Sequence, residues 1–192
     1  MREKEYKHML NETQYLKILE YLQYNYQIEF KININYFFDT PNLDLSKKGI
    51  TLRVRQINSK LVLDIKMPGV KNGYLIQREE ISKEIKEFPI FINLRNLPIY
   101  EIIPDVKGAQ LIGTLVTERY SCKVQEGIII DLDKSSYLGA LDYELEVEFH
   151  SDFEKEAYGF FQKLIGDLKR NEKVIGKKSR FIRRLCSLQS TY

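Results

Sequence analysis

Along much of this chain apolar residues alternate with charged ones rather than with neutral polar ones. That period of two predicts strands with one apolar and one ionic face. Residues 51–55 (Thr-Leu-Arg-Val-Arg) place Arg53 and Arg55 on one side. Across residues 61–67, Leu61, Leu63, Ile65 and Met67 oppose Val62, Asp64 and Lys66. In residues 74–80, Arg78 and Glu80 share a side with Glu79 opposite, so parity favours Glu80 as the inward acid and leaves Glu79 as the alternative. In residues 116–124, Thr117, Arg119, Ser121 and Lys123 oppose a mostly apolar set that includes Tyr120 and Cys122. Asp131 and Asp133 pair within residues 128–133, and Glu144, Glu146 and Glu148 oppose Tyr143, Leu145, Val147 and Phe149. Near the start, Glu3-Lys4-Glu5-Tyr6-Lys7 puts two carboxylates and an amine on one face.

Helical spacing is confined to a few segments. Asn11 and Gln14 have the spacing of a capping box, followed by Tyr15, Leu19 and Leu22. Ser151 and Glu154 give an S-x-x-E start ahead of a stripe of Phe153, Ala157, Phe160, Leu164 and Leu168. A short helix is expected near residues 87–95, and a last one from Ser179 through Arg180 to Ser187. An antiparallel sheet with helices on its apolar face can leave its ionic face in water. If it curls into a barrel, that face becomes the lumen, where each uncompensated ion costs several kcal/mol. The residues at hand are mixed enough to compensate one another: Lys7, Arg53, Arg55, Lys66 and Arg119 against Glu3, Glu5, Asp131, Asp133, Glu144 and Glu146. Arginines in number suit phosphate oxygens, and carboxylates in number suit Mg²⁺ or Mn²⁺. Together they describe a site for a metal-complexed polyphosphate.

Composition narrows the remaining choices. With 192 residues, 43% of them hydrophobic, one domain over residues 1–192 can bury a real core. A net charge of +3 is too mild to argue for nucleic acid. No apolar run is long enough to span a bilayer, and the start of the chain has no signal-peptide character, so a cytoplasmic protein without membrane contact is expected. Cys122 and Cys186 match neither a disulfide framework nor a metal spacing and read as small buried hydrophobes; His8 and His150 are unpromising as ligands. The pattern leaves the oligomeric state open.

In their order and spacing, E-K-E-Y-K at 3–7, Y-F-F-D-T-P-N-L-D-L-S-K-K-G-I-T-L-R-V-R at 36–55, L-D-I-K-M-P at 63–68, D-L-D at 131–133 and Y-E-L-E-V-E at 143–148 resemble the CYTH superfamily, the triphosphate tunnel metalloenzymes. The match runs from Glu3 to about Arg184. The resemblance implies an α+β fold, an eight-stranded antiparallel β-barrel with helices packed outside. Carried over by position, Glu3 and Glu5 look like metal ligands, helped by Glu144 or Glu146 and by Glu80. Lys7, Arg53, Arg55 and Lys66 look like phosphate grips, joined by Arg78, Arg119 and Arg180. Asp131 and Asp133 look like the pair that holds a second metal or orients the attacking water, with Lys7 beside them in the catalytic set. Arg180 replaces the lysine that many relatives carry in an S-K-[FY] segment, and Asp64 falls where relatives often have a small neutral residue, so it receives no lumenal role. Members hydrolyse inorganic triphosphate, thiamine triphosphate or nucleoside triphosphates, and one branch cyclises ATP. The expectation is a Mg²⁺- or Mn²⁺-dependent triphosphatase acting on a small triphosphate. A class IV-like adenylate cyclase is the alternative enzyme, although its His-Phe segment is missing before Glu3. A thiamine-specific site wants an aromatic platform; the chain has no Trp but 13 Tyr and 10 Phe. A non-catalytic polyphosphate- or nucleotide-binding module is the third reading, against which both acidic pairs argue.

Overall fold

The alternating segments form strands, and the sheet they build closes on itself. The computed structural model describes residues 2–166 and 175–190, the side chains of Arg2 and Glu3 excepted. Its strands are β1 (Arg2–Leu10), β2 (Glu29–Asp39), β3 (Thr51–Ile57), β4 (Lys60–Lys66), β5 (Val70–Asn72), β6 (Leu75–Ile85), β7 (Phe91–Asn93), β8 (Gly108–Gln125), β9 (Ile128–Tyr137) and β10 (Ala140–Phe149). Four helices accompany them among the described residues: α1 (Glu12–Asn25), α2 (Asp44–Lys47), α3 (Glu154–Ile165) and α4 (Lys177–Gln189). Eight strands make an antiparallel barrel in the order β1-β10-β9-β8-β2-β3-β4-β6, and β6 pairs back onto β1. β5 adds to β6 and β7 to β8, outside the ring.

A closed ring has an inside, and the pleat decides what points into it. The pairs Lys7↔Glu146, Glu146↔Asp131, Glu144↔Asp133 and Arg119↔Asp133 carry the ionic face across β1, β10, β9 and β8. Arg53↔Asp64 and Lys66↔Glu80 carry it across β3, β4 and β6. The apolar faces therefore point outwards and need cover. Tyr6, Leu132, Leu145 and Val147 pack beneath Leu22 of α1 and Phe161 of α3. Leu52, Val54 and Ile65 pack beneath Leu45 of α2 and residues Leu94, Ile99 and Ile103. α1 starts on the expected capping box, with Gln14 N donating to Asn11 Oδ1 and Asn11 N to Gln14 Oε1. No helix among the described residues is long and apolar enough to cross a membrane.

α4 plugs one end of the barrel. Phe37, Leu115 and Tyr137 form an apolar collar, and the fully buried Phe181 of α4 packs among them. The ring is admitted by Gly113, where a Cβ would lie 2.5 Å from Phe181 Cζ. Lys178 pins the same helix, donating to Asp39 Oδ2 at 2.9 Å and to the Ile50 carbonyl at 3.0 Å. Asp39 in turn is fixed by the backbone N–H groups of Thr40, Leu45 and Ser46.

Four local expectations are overturned. Residues 87–95 hold no helix, because Pro89 disfavours helical backbone at Phe88; β7 and a 3₁₀ turn over Leu94–Asn96 take its place, with Ile92 buried. The Ser151/Glu154 box does not form: Ser151–Phe153 is a 3₁₀ turn and α3 begins at Glu154 without a side-chain cap. Its buried stripe is Ala157, Phe161 and Ile165, while the expected Leu168 lies outside the described residues. α4 begins at Lys177, ahead of Ser179, with Gly176 as its extended cap. Cys122 is buried as expected, but Cys186 is exposed on α4.

Phe181→Ala should lower the unfolding free energy by about 3–5 kcal/mol, as expected when a buried aromatic ring leaves a cavity. Leu188→Ala, at an exposed position of the same helix, should stay within about 0.5 kcal/mol. Urea denaturation of both variants checks this, and equal effects would contradict the plug.

Candidate functional site

The lumen is a cavity of about 1350 Å³, and its charges are sorted around the circumference. Neighbouring strands β1, β10 and β9 supply Glu5, Glu144, Glu146, Glu148, Asp131 and Asp133. The opposite arc, β3, β4 and β6, supplies Arg53, Arg55, Lys66 and Arg78, together with Asp64 and Glu80.

Glu146 is the hub of the acidic arc. Its carboxylate meets Lys7 Nζ at 2.5 Å, Lys177 Nζ at 2.9 Å and Arg119 Nη2 at 2.5 Å. Lys7 also reaches Glu5 at 3.1 Å and Glu144 at 3.6 Å. Arg119 donates from Nε and Nη2 to the two oxygens of Asp133, both at 2.7 Å, and from Nη1 to Asp131. Lys177 reaches Asp133 at 2.7 Å and also Glu144. Burial alone would lower the pKa of these cations, but the surrounding carboxylates outweigh it and hold Lys7 and Arg119 above their ordinary values. Burial is likewise outweighed at Glu146, which Lys177, Lys7 and Arg119 keep well below the usual carboxylate range. The paired aspartates split: burial raises Asp131, whereas at Asp133 Arg119 and Lys177 override burial and lower it. Glu148, about a third exposed, is pushed up to about 8 by burial and by the Asp131 charge.

The basic arc is organised by Asp64, which is fully buried. It accepts from Arg53 Nε at 2.9 Å and Ser82 Oγ at 2.7 Å, and lies 3.1 Å from Arg55 Nε. The Arg55 Nε–H is not aimed at Asp64 and has no hydrogen-bond partner among the described residues. Burial, followed by the neighbouring Arg53 charge, lowers the Arg55 pKa. Lys66 Nζ pairs with Glu80 at 2.9 Å, and Arg53 lies 3.7 Å from the same acid. Across the seam Arg78 Nη2 donates to Glu5 at 3.1 Å.

Two acid trios have carboxylate oxygens within 4.8 Å of one another: Glu5, Glu146 and Glu148, and Asp133, Glu144 and Glu146. All are hard oxygen donors, and the buried Asp131 Oδ1 beside them has no hydrogen-bond partner among the described residues, so the donor set fits Mg²⁺ or Mn²⁺.

The sequence profile of the CYTH domain matches residues 1–173. The chain belongs to the CYTH domain family. It is 33% identical over 151 residues, 75% of each chain, to YjbK of Bacillus subtilis (strain 168), whose name makes it a candidate triphosphatase. Among solved structures it is similar to HpAC1 from Hippeastrum, a candidate adenylyl cyclase described with a dominant triphosphatase activity (TM-score 0.73, 21% identity, 94% of this chain and 95% of that one). It is also similar to a candidate adenylate cyclase from Bacillus halodurans (TM-score 0.68, 25% identity, 92% and 95%).

Within this CYTH barrel, Glu5, Lys7, Arg53, Arg55, Lys66, Arg78, Glu80, Arg119 and Glu146 line the cavity. Glu80 points inward and Glu79 is exposed, which resolves that register. Asp131, Asp133 and Glu144 lie behind the lining, joined to it through Arg119 and Lys177. The Glu3 side chain lies outside the described residues. Arg180 is not brought into the lumen: it bonds Asp142 and Glu144 at 2.7 Å each, on the plugged side. The absence of a lumenal role for Asp64 is corrected, since β3 and β4 pair it directly with Arg53. Sequence reading also passed over Lys177 and Lys178. Their signal was Gly176-Lys177-Lys178, a cationic doublet opening the helix that carries Arg180.

Asp64→Ala strands two guanidiniums and should lower stability by about 3 kcal/mol in chemical denaturation; an unchanged midpoint would contradict the role given to Asp64. In metal-free buffer, Glu148 binds its proton more tightly in the folded chain than at the usual 4.5. Its contribution is therefore present at acid pH and is lost as pH rises from about 4.5 towards 8. The stability of Glu148→Gln relative to the parent should rise across that window and level off above it, and a gap independent of pH would contradict this.

Proposed function

We propose that this CYTH domain is a divalent-metal-dependent triphosphatase acting on inorganic tripolyphosphate or a related organic triphosphate. The observation that carries this reading is the facing pair of arcs: a cationic wall, whose Arg55 Nε–H has no hydrogen-bond partner among the described residues, shares one lumen with the carboxylates of Glu5, Glu146 and Glu148. The name of the related YjbK agrees with it. Arg53, Arg55, Lys66 and Arg78 grip the phosphate chain through charge-assisted hydrogen bonds. Lys7 and Arg119, already held between carboxylates, are placed to follow negative charge as it develops. Asp131 and Asp133, behind the lining, act through Arg119, whose guanidinium they hold at the lumen wall. Arg180 positions Glu144 rather than touching phosphate. Glu5, Glu146 and Glu148 would hold the metal, whereas Glu80 is paired with Lys66 on the basic arc; when bound, Mg²⁺ or Mn²⁺ supplies charge neutralisation on the phosphoryl oxygens. The plug at α4 keeps bulk water from that end.

Phosphate release from tripolyphosphate, ATP, GTP and thiamine triphosphate with Mg²⁺, Mn²⁺ or EDTA tests the proposal. Hydrolysis that EDTA abolishes supports it; cyclic AMP from ATP would indicate a cyclase, and binding without turnover a sensor. Arg55→Ala should weaken metal-free tripolyphosphate binding by about 1.5–3 kcal/mol, roughly ten- to a hundred-fold. Glu5→Gln should eliminate turnover while leaving that metal-free affinity unchanged or tighter. Calorimetric titration separates the two, and equal losses would refute the division of roles.

A further inference from the structure

One of the two acid trios is already filled by a cation of the chain itself. We propose that the Lys177 ammonium is a resident counter-ion in the Asp133, Glu144 and Glu146 trio, standing in for a second divalent ion. The protein then takes up a single metal, at Glu5, Glu146 and Glu148. The inference rests on the metal-dependent reading above.

The ammonium has three N–H donors, and Lys177 Nζ meets three carboxylates: Asp133 at 2.7 Å, Glu146 at 2.9 Å, and Glu144. These are the same three residues whose oxygens converge as a cation site. The ammonium is not a mobile surface charge that a metal could brush aside, because the residues beside it are anchored. Lys178 is tied to Asp39 and to the Ile50 carbonyl, Arg180 to Asp142 and Glu144, and Phe181 to the collar at Gly113. These anchors hold the Lys177 backbone at the barrel end, with its ammonium within reach of all three acids. The other trio differs in degree: Lys7 bridges Glu5 and Glu146 at 3.1 and 2.5 Å and Arg78 meets Glu5, but Glu148 has only Arg119 Nη1, at 3.9 Å, as an ion-pair partner, so no single cation among the described residues meets all three acids. Glu146 belongs to both trios, so a cation fixed in one discourages a doubly charged ion there and leaves the other as the open position.

The test is a Mn²⁺ titration of the metal-free full chain without substrate, read from the electron paramagnetic resonance signal of free aqueous Mn²⁺. The parent and Lys177→Arg should each bind one equivalent, and Lys177→Met two. In thermal melting, Mn²⁺ should raise the midpoint of Lys177→Met more than that of the parent. Two equivalents in the parent, or one in a cooperatively melting Lys177→Met, would overturn the proposal. If Lys177→Met does not melt cooperatively, Glu144→Gln decides: one equivalent at parental affinity supports the assignment, and a lost or tenfold weaker site contradicts it. No Mn²⁺ uptake by the parent would instead overturn the metal-dependent reading, and the single-metal assignment with it.

Discussion

Five residue pairs between β1 and β6, from Arg2↔Glu79 to Tyr6↔Leu75, turn an amphipathic sheet into a lumen. Left open, the same ionic faces would lie in water, where an ion pair contributes about 0–1 kcal/mol and imposes little geometry. Closed, the charges are desolvated, and a group without a partner becomes costly. The dense pairing around Glu146, Asp133 and Asp64 follows from that constraint. So does the outward placement of the apolar residues, which obliges α1, α2 and α3 to cover the barrel.

Pairing is not complete, and the imbalance has a direction. On the acidic arc, among the described side chains, the seven carboxylates Glu5, Asp131, Asp133, Asp142, Glu144, Glu146 and Glu148 stand with the four cations Lys7, Arg119, Lys177 and Arg180. On the basic arc, among the described side chains, the cations Arg53, Arg55, Lys66 and Arg78 stand with the acids Asp64 and Glu80. Among the described side chains, one wall is the richer in negative charge and the other in positive charge. A metal-bound polyanion supplies both at once, and this links the fold to phosphoryl chemistry.

The ionic alternation of β1, β3, β4, β8, β9 and β10 was legible because every second residue in a half-buried strand answers to one environment. In β2 the ionic alternation gives way to asparagine: its Lys-Ile-Asn-Ile-Asn run buries Asn33 and Asn35 and turns Ile32 to the outside. Features made by long-range partners were not legible. Alternation puts Asp64 on the face of Lys66, but its role as the partner of Arg53 emerges only once β3 pairs with β4, and that of Lys177 only once α4 enters the barrel end. The start of α3 was misplaced because S-x-x-E competes with a 3₁₀ turn that the local pattern does not exclude.

The central claim is that the two walls have separate tasks, metal on β1 and β10, phosphate on β3, β4 and β6. Crystallography of the chain with Mn²⁺ and a non-hydrolysable imidotriphosphate tests it most directly, through the anomalous signal of the metal and the density of the phosphate chain. The account predicts a Mn²⁺ peak bounded by Glu5, Glu146 and Glu148, with terminal phosphate oxygens on Arg53 and Arg55. Phosphates seated away from both arginines, or a metal bound on the Asp64 and Glu80 side, would contradict it.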